Sequence, residues 1–202
     1  MSIEAVVFDM DEVLCHYRIE RRLELLSRWS GRAPEDIHAA IWRSGFEDAS
    51  ERGEMDADAY LAGFGERMGY ALTPAQWVEA RRIAVEPNEA VLAEASRLAG
   101  RVKIAVLTNN GLLLKRHMAE VFPAVVEVFG ENAFCSGELG AAKPDPEVFR
   151  RLAARLGVKP ESALFFDDGE KYVLGAREAG FHAHVFDGVE GLRQRLAEHG
   201  LS

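Results

Sequence analysis

Cysteine is scarce: 202 residues hold only Cys15 and Cys135, in no CxxC or metal-type spacing. Two such residues build neither a disulfide framework nor a zinc site, and they suit a reducing compartment as small apolar core residues. Long apolar runs are also missing; none approaches the roughly 20 residues that span a bilayer. The N-terminus enters the run Ile3-Glu4-Ala5-Val6-Val7 with no basic region and no small-residue cleavage site, which reads as a cytoplasmic chain. Positive charge is in deficit, 24 Lys and Arg against 33 Asp and Glu, for a formal charge of −9. That deficit disfavours nonspecific nucleic-acid or anionic-membrane binding, because both need a basic surface. An anionic substrate stays compatible wherever a local cation meets it. No internal repeat or low-complexity tract is present. At 48% hydrophobic, the chain fills one core, or a core carrying a smaller appendage.

After the first hundred residues, β-branched apolar runs alternate with helical periodicity. Val102 to Leu107 ends in Thr108-Asn109-Asn110-Gly111, Ala163 to Phe166 ends in Asp167-Asp168-Gly169, and Phe181 to Phe186 ends in Asp187-Gly188. Each run is followed by a helix-like segment, which predicts an α/β fold with a doubly wound parallel sheet. A helix over 146–156 is well punctuated, with Asp145 as N-cap, Pro146 at its first position and Gly157 at its exit.

Residues 15–85 follow another rhythm. Arg21 to Leu26, Pro34 to Trp42, Asp56 to Met68 and Pro74 to Ile83 have helical spacing, with breaks at Ser30-Gly31, Ser44-Gly45, Gly69 and Thr73-Pro74. No strand is expected among them. The expected organisation is therefore an α/β core from 1–14 and 86–202, interrupted by an all-helical insert at 15–85.

Open parallel sheets bind ligands beyond the carboxyl ends of their strands, where strand order reverses. By that rule Asp9 and Asp11, Thr108 and Asn109, and Asp167 and Asp168 converge from three strand ends on one crevice. Acids gathered without a counterion repel and resist ionisation, so a divalent cation is their natural partner. Oxygen-only ligands favour Mg²⁺.

The stretches FDMDEVL from Phe8, VLTNN from Val106, KPDPEVF from Lys143 and FFDD from Phe165 resemble, in order, the four signature motifs of the haloacid dehalogenase (HAD) superfamily. An insert between the first and second resembles subfamily I, with a helical cap over a Rossmann-like core. The segment from Ser44 to Tyr60 further resembles the branch containing α-D-glucose-1-phosphatases and the phosphatase domains of epoxide hydrolases. The resemblance implies a Mg²⁺-dependent phosphatase acting on small phosphorylated metabolites, sugar phosphates among them. It implies Asp9 as nucleophile, forming an aspartyl-phosphate, and Asp11 as general acid and base. Thr108, through its hydroxyl, and Asn109, through its backbone amide, would hold the phosphoryl oxygens, with Lys143 neutralising their charge. Asp9, the Asp11 carbonyl, Asp168 and Asp167 would surround the metal, Asp167 through water or by orienting Lys143.

Related readings are a phosphomutase, which shares the apparatus, a 2-haloacid dehalogenase, and a noncatalytic binding protein on the same fold. Dehalogenation needs neither Asp11 nor the Asp167-Asp168 pair, and a noncatalytic relic predicts loss of Asp9, Asp11, Lys143 or Asp168. The family often places Gly where Glu12 stands, and the related branch often places Asn where Tyr172 stands. Asn110 is a candidate cap for the helix after Thr108. Trp29, Trp42 and Trp77 read as core of the insert, with Trp42 the best placed for a sugar. His16 reads as solvated or capping. The pairs Arg21-Arg22 and Arg81-Arg82 read as solvated helix faces.

Overall fold

Strand β1 (Ala5–Phe8) is buried along its whole length, as its sequence AVVF requires. It pairs in parallel with β4 (Lys103–Thr108) on one side and β6 (Ala163–Asp167) on the other, Phe8 lying opposite both Val106 and Phe166. Strands β5 (Ala133–Cys135) and β7 (His182–Val185) complete an all-parallel sheet of order β5-β4-β1-β6-β7. The chain thus starts in the centre, winds outward one way, then crosses β1 and winds outward the other way. This is a computed structural model describing residues 2–202.

Alternation along the buried strands feeds two apolar layers. Val6, Phe8, Val106 and Phe166 meet α6 (Glu89–Leu98), α7 (Leu112–Val121), α8 (Pro123–Phe129) and α12 (Val189–Glu198) on one face. Ala5, Val7, Leu107 and Phe165 meet α9 (Ser136–Leu139), α10 (Pro146–Leu156) and α11 (Glu170–Glu178) on the other. Helix α10 is punctuated as expected: Asp145 accepts from the Glu147 N–H, and Gly157 leaves in the left-handed region. No helix among the described residues is long and apolar enough to cross a membrane.

Between β1 and α6 lie β2 (Cys15–Tyr17), α1 (Ile19–Ser30), α2 (Pro34–Ile41), α3 (Phe46–Glu51), α4 (Ala57–Met68), α5 (Pro74–Arg82) and β3 (Val85–Pro87). The four helices expected here are present. Asp56 caps α4 by accepting from the Ala59 N–H, and Thr73 and Gln76 form a capping box on α5. The expectation of no strand is corrected. Strands β2 and β3 pair antiparallel at the foot of the helices, Tyr17 opposite Val85. Three residues apiece are too few to display a period of two. Helix α3 was also absent from the sequence reading, because six residues rich in Glu, Asp and Ser carry little apolar rhythm.

Helix α3 is docked directly on the core. Ser50 is buried, and a Cβ added at Gly111 would fall 1.9 Å from its hydroxyl oxygen. At Gly53, which has φ +73°, a Cβ would lie 2.4 Å from the Gly137 carbonyl oxygen. Only glycine allows this seam between the insert and the segments that follow β4 and β5.

Candidate active site

Two strand ends deliver the acidic residues to one place. The Asp9 N–H still donates to the Phe166 carbonyl at 2.8 Å, so its side chain emerges as β1 finishes, beside Asp167 at the end of β6. Between them stands Lys143, whose ammonium lies 2.8 Å from Asp9 Oδ1 and 2.6 Å from Asp167 Oδ2. Asp9 Oδ1 also accepts from the Met10 N–H, and Asp167 Oδ1 from the Gly169 N–H. All three charged side chains are buried, whereas Asp168 is exposed beside them. Carboxylate oxygens of Asp9, Asp167 and Asp168 lie within 4.8 Å of one another.

The electrostatics follow from that enclosure. Burial pushes the Asp9 carboxyl above its usual range, Lys143 opposes this, and Asp167 and Asp11 add to it. Burial works against the charge of Lys143 too, but Asp9 and Asp167 outweigh it and hold the ammonium protonated. Asp168 is raised by partial burial and then by Asp167. With both carboxylates ionised, the single lysine leaves this centre net negative before Asp168 is added, which is an environment that attracts cations.

Thr108 is buried at the end of β4, where its hydroxyl oxygen accepts from Asn110 Nδ2 at 2.8 Å. The expected helix-capping role of Asn110 is therefore corrected: Gly111 occupies the N-cap of α7 and supplies no side-chain cap. Asn109 turns its side chain to the Lys143 backbone, donating to the carbonyl and accepting from the N–H, both at 2.9 Å. Asp11 stands apart from the lysine centre. Its Oδ2 accepts from Arg81 Nη2 of α5 at 2.9 Å.

The family model of the haloacid dehalogenase-like hydrolases matches residues 3–180. This chain belongs to that family. Two curated relatives are similar across most of it. A phosphatase of Mycobacterium tuberculosis, MT3486, is 32% identical over 93% of this chain and 88% of its own length. A phosphoserine phosphatase of Thermus thermophilus is 36% identical over 85% of this chain and 60% of its own length. Among solved structures, a HAD family enzyme of Bacteroides thetaiotaomicron, complexed with magnesium and inorganic phosphate, superposes with a TM-score of 0.76 at 23% identity. That likeness covers 91% of this chain and 94% of the other.

In this HAD-like hydrolase the insert brings two buried arginines close to Asp11 and Tyr17. Arg22 and Arg81 were expected on solvated faces and are instead buried, while their neighbours Arg21 and Arg82 are exposed. Consecutive helical residues point about 100° apart, so one member of each pair turns inward. The Arg81 guanidinium lies over the Tyr17 ring at 3.9 Å, and Arg22 Nη1 donates to the Tyr17 hydroxyl at 2.9 Å. Trp42 packs against Phe64 and under Arg22 rather than standing open. His16 is exposed and meets Glu12 at 3.4 Å. Glu12 takes φ 63°, the conformation that explains a preference for glycine here, and its carboxylate accepts from the Tyr17 N–H. Tyr172 faces the Lys143 ammonium with its ring, 4.9 Å away.

Proposed function

We propose that this HAD-like hydrolase is a phosphatase that cleaves small phosphomonoesters through an aspartyl-phosphate on Asp9. The observation carrying this reading is the Lys143 ammonium bridging Asp9 and Asp167, with Asp168 alongside. The M. tuberculosis and T. thermophilus phosphatases support the same class. Sugar phosphates and metabolites of similar size suit a site beneath the helices α1 to α5, which we read as a cap over the core.

In the proposed reaction a carboxylate oxygen of Asp9 forms a bond to phosphorus as the bond to the leaving oxygen breaks in line. Asp11 gives its proton to that oxygen, then takes one from the water that attacks the aspartyl-phosphate and frees phosphate. Lys143 offsets charge on the phosphoryl oxygens, and the Thr108 hydroxyl and Asn109 backbone amide hold them. The Met10 N–H and Lys143 keep the nucleophile oriented. Arg81 positions Asp11 and yields part of it when the leaving group arrives.

The donor set fits Mg²⁺. It is all oxygen, drawn from Asp9, Asp167 and Asp168, and the spread of those oxygens matches coordination around one small cation. Bound there with the Asp11 carbonyl, Mg²⁺ would draw charge from the phosphoryl group and screen the acids from one another.

Release of phosphate from p-nitrophenyl phosphate tests the reading. Asp9→Asn is expected to abolish it with the circular-dichroism spectrum intact, and EDTA to stop it until Mg²⁺ is restored. Undiminished turnover by Asp9→Asn overturns the nucleophile assignment.

A further inference from the structure

Buried side-chain nitrogens without a hydrogen-bond partner are concentrated in one place. Among the described residues they are Arg22 Nε and Nη2, Arg81 Nε and Trp77 Nε1, three residues of the insert. Each of these side chains is at most 4% exposed. Buried polar groups are nearly always paired, so four unpaired nitrogens in one cluster call for an acceptor.

The cluster connects to the proposed reaction centre. Arg81 reaches Asp11, Tyr17 lies against Arg81, and Arg22 donates to the Tyr17 hydroxyl. Trp77 and Arg81 share a face of α5 one turn apart, and the Trp77 ring lies 5.4 Å from the Arg22 guanidinium. Arg81 has Asp11 as its counterion, whereas Arg22 has no carboxylate within ion-pair distance among the described residues. Glu47 feels the Arg22 charge but binds the Tyr60 hydroxyl through Oε1 and forms no ion pair with Arg22. Aromatic faces of Trp42, Phe64 and Trp77 surround Arg22 at 5.1–5.4 Å, so little water is available to solvate it.

The free atoms of Arg22 also define a shape. Nε and Nη2 lie on one edge of the guanidinium plane, the edge that receives two oxygens of a carboxylate side by side. We propose that Arg22, assisted by Trp77 and Arg81, binds a carboxylate on the leaving group, so that the preferred substrates are phosphomonoesters of hydroxy acids. The inference rests on the phosphatase reading and narrows it.

Matched esters test it: 3-phosphoglycerate against glycerol 3-phosphate, and O-phosphoserine against O-phosphoethanolamine, each with Mg²⁺. The wild type is expected to favour the carboxylated member by tenfold or more in kcat/KM. Arg22→Met is expected to bring the ratio close to one, and Arg22→Lys, which keeps the charge and loses the fork, to leave it in between. Equal rates for the wild type on both members of both pairs overturn the inference, as does a ratio that survives in a folded Arg22→Met. The wild-type ratio decides even where a variant fails to fold. Release of phosphate from none of these esters, nor from p-nitrophenyl phosphate, instead refutes the phosphatase reading beneath it.

Discussion

Asn109 and Lys143, 34 residues apart, clasp each other through two hydrogen bonds of 2.9 Å, amide side chain to backbone in both directions. The contact fixes the backbone from which the Lys143 ammonium reaches Asp9 and Asp167. Asn109→Ala leaves the Lys143 N–H and carbonyl unpaired, at a cost of about 1–3 kcal/mol. Its effect on catalysis is expected to exceed that of a simple stability loss, since displacement of a charged group by about 1 Å can lower rates a hundredfold. Urea unfolding and p-nitrophenyl phosphate turnover of the same preparation separate the two effects.

Lys143→Met removes the cation between Asp9 and Asp167 and leaves two buried carboxylates facing each other. Breaking a buried ion pair from one side costs about 3–5 kcal/mol. Burial already raises Asp9, and without Lys143 to oppose it that carboxyl ionises still less readily in the folded chain than in the unfolded one, so stability should be greatest at low pH and fall as pH rises through the ordinary carboxylate range. Thermal melts of the variant in EDTA, from pH 4 to 8, are expected to show this slope. A flat profile contradicts it.

Gly53 and Gly31 share a positive φ, +73° and +72°, but differ in surroundings. At Gly31 an added Cβ meets nothing within 4 Å, so Gly31→Ala is expected to cost about 1 kcal/mol of backbone strain alone. At Gly53 the Cβ would also collide with the Gly137 carbonyl, and Gly53→Ala is expected to cost roughly 2–4 kcal/mol. Activity should fall in Gly53→Ala and hold in Gly31→Ala, since only the former moves α3 off the core.

Glu94 joins α6 to α12. Its carboxylate accepts from Arg193 Nε at 2.7 Å and from Arg97 Nε at 3.0 Å. The Arg193 hydrogen bond, followed by that of Arg97, outweighs burial and holds the carboxyl below its ordinary 4.5. The depressed value means that this stabilisation is complete above pH 4.5 and is lost as pH falls through the folded-state pKa. Glu94→Gln is therefore expected to be about 1 kcal/mol less stable at pH 7, with the gap to wild type closing in acid.

The central sheet was legible because β1, β4 and β6 are buried on both faces, and continuous apolar runs ending in Asp or Thr are what such burial requires. The convergence of Asp9, Asp167 and Asp168 followed from the strand-end rule, and the geometry brings them together. Asp11, expected in the same crevice, instead has its carboxylate held by Arg81, a partner that its spacing does not reveal. Charge alone does not reveal burial: Arg22 and Arg21 are identical letters, and only the orientation of α1 against Trp42 and Phe64 separates them. The strands β2, β3 and β5 were too short to leave a period, and they are fixed by pairing across long stretches of chain. Lys143 was recognised from the motif around Pro144 and Asp145, whereas the clasp with Asn109 depends on side-chain directions that spacing does not encode.

The ladder of β2 and β3 sets Cys15 opposite Pro87, so the polypeptide departs for its helical excursion and returns at neighbouring points. Strands in such a ladder lie about 5 Å apart, and the sheet beneath therefore experiences the excursion as a closed hairpin whatever its length. A foreign helical segment grafted between Tyr17 and Val85 would meet an unchanged sheet, and would have to provide a counterpart for the glycine seam at Gly111 and Gly137 and a cation for Asp11 in place of Arg81. The helices of the excursion are thus physically exchangeable, while Asp9 and Asp167 stay rooted at the ends of two central strands.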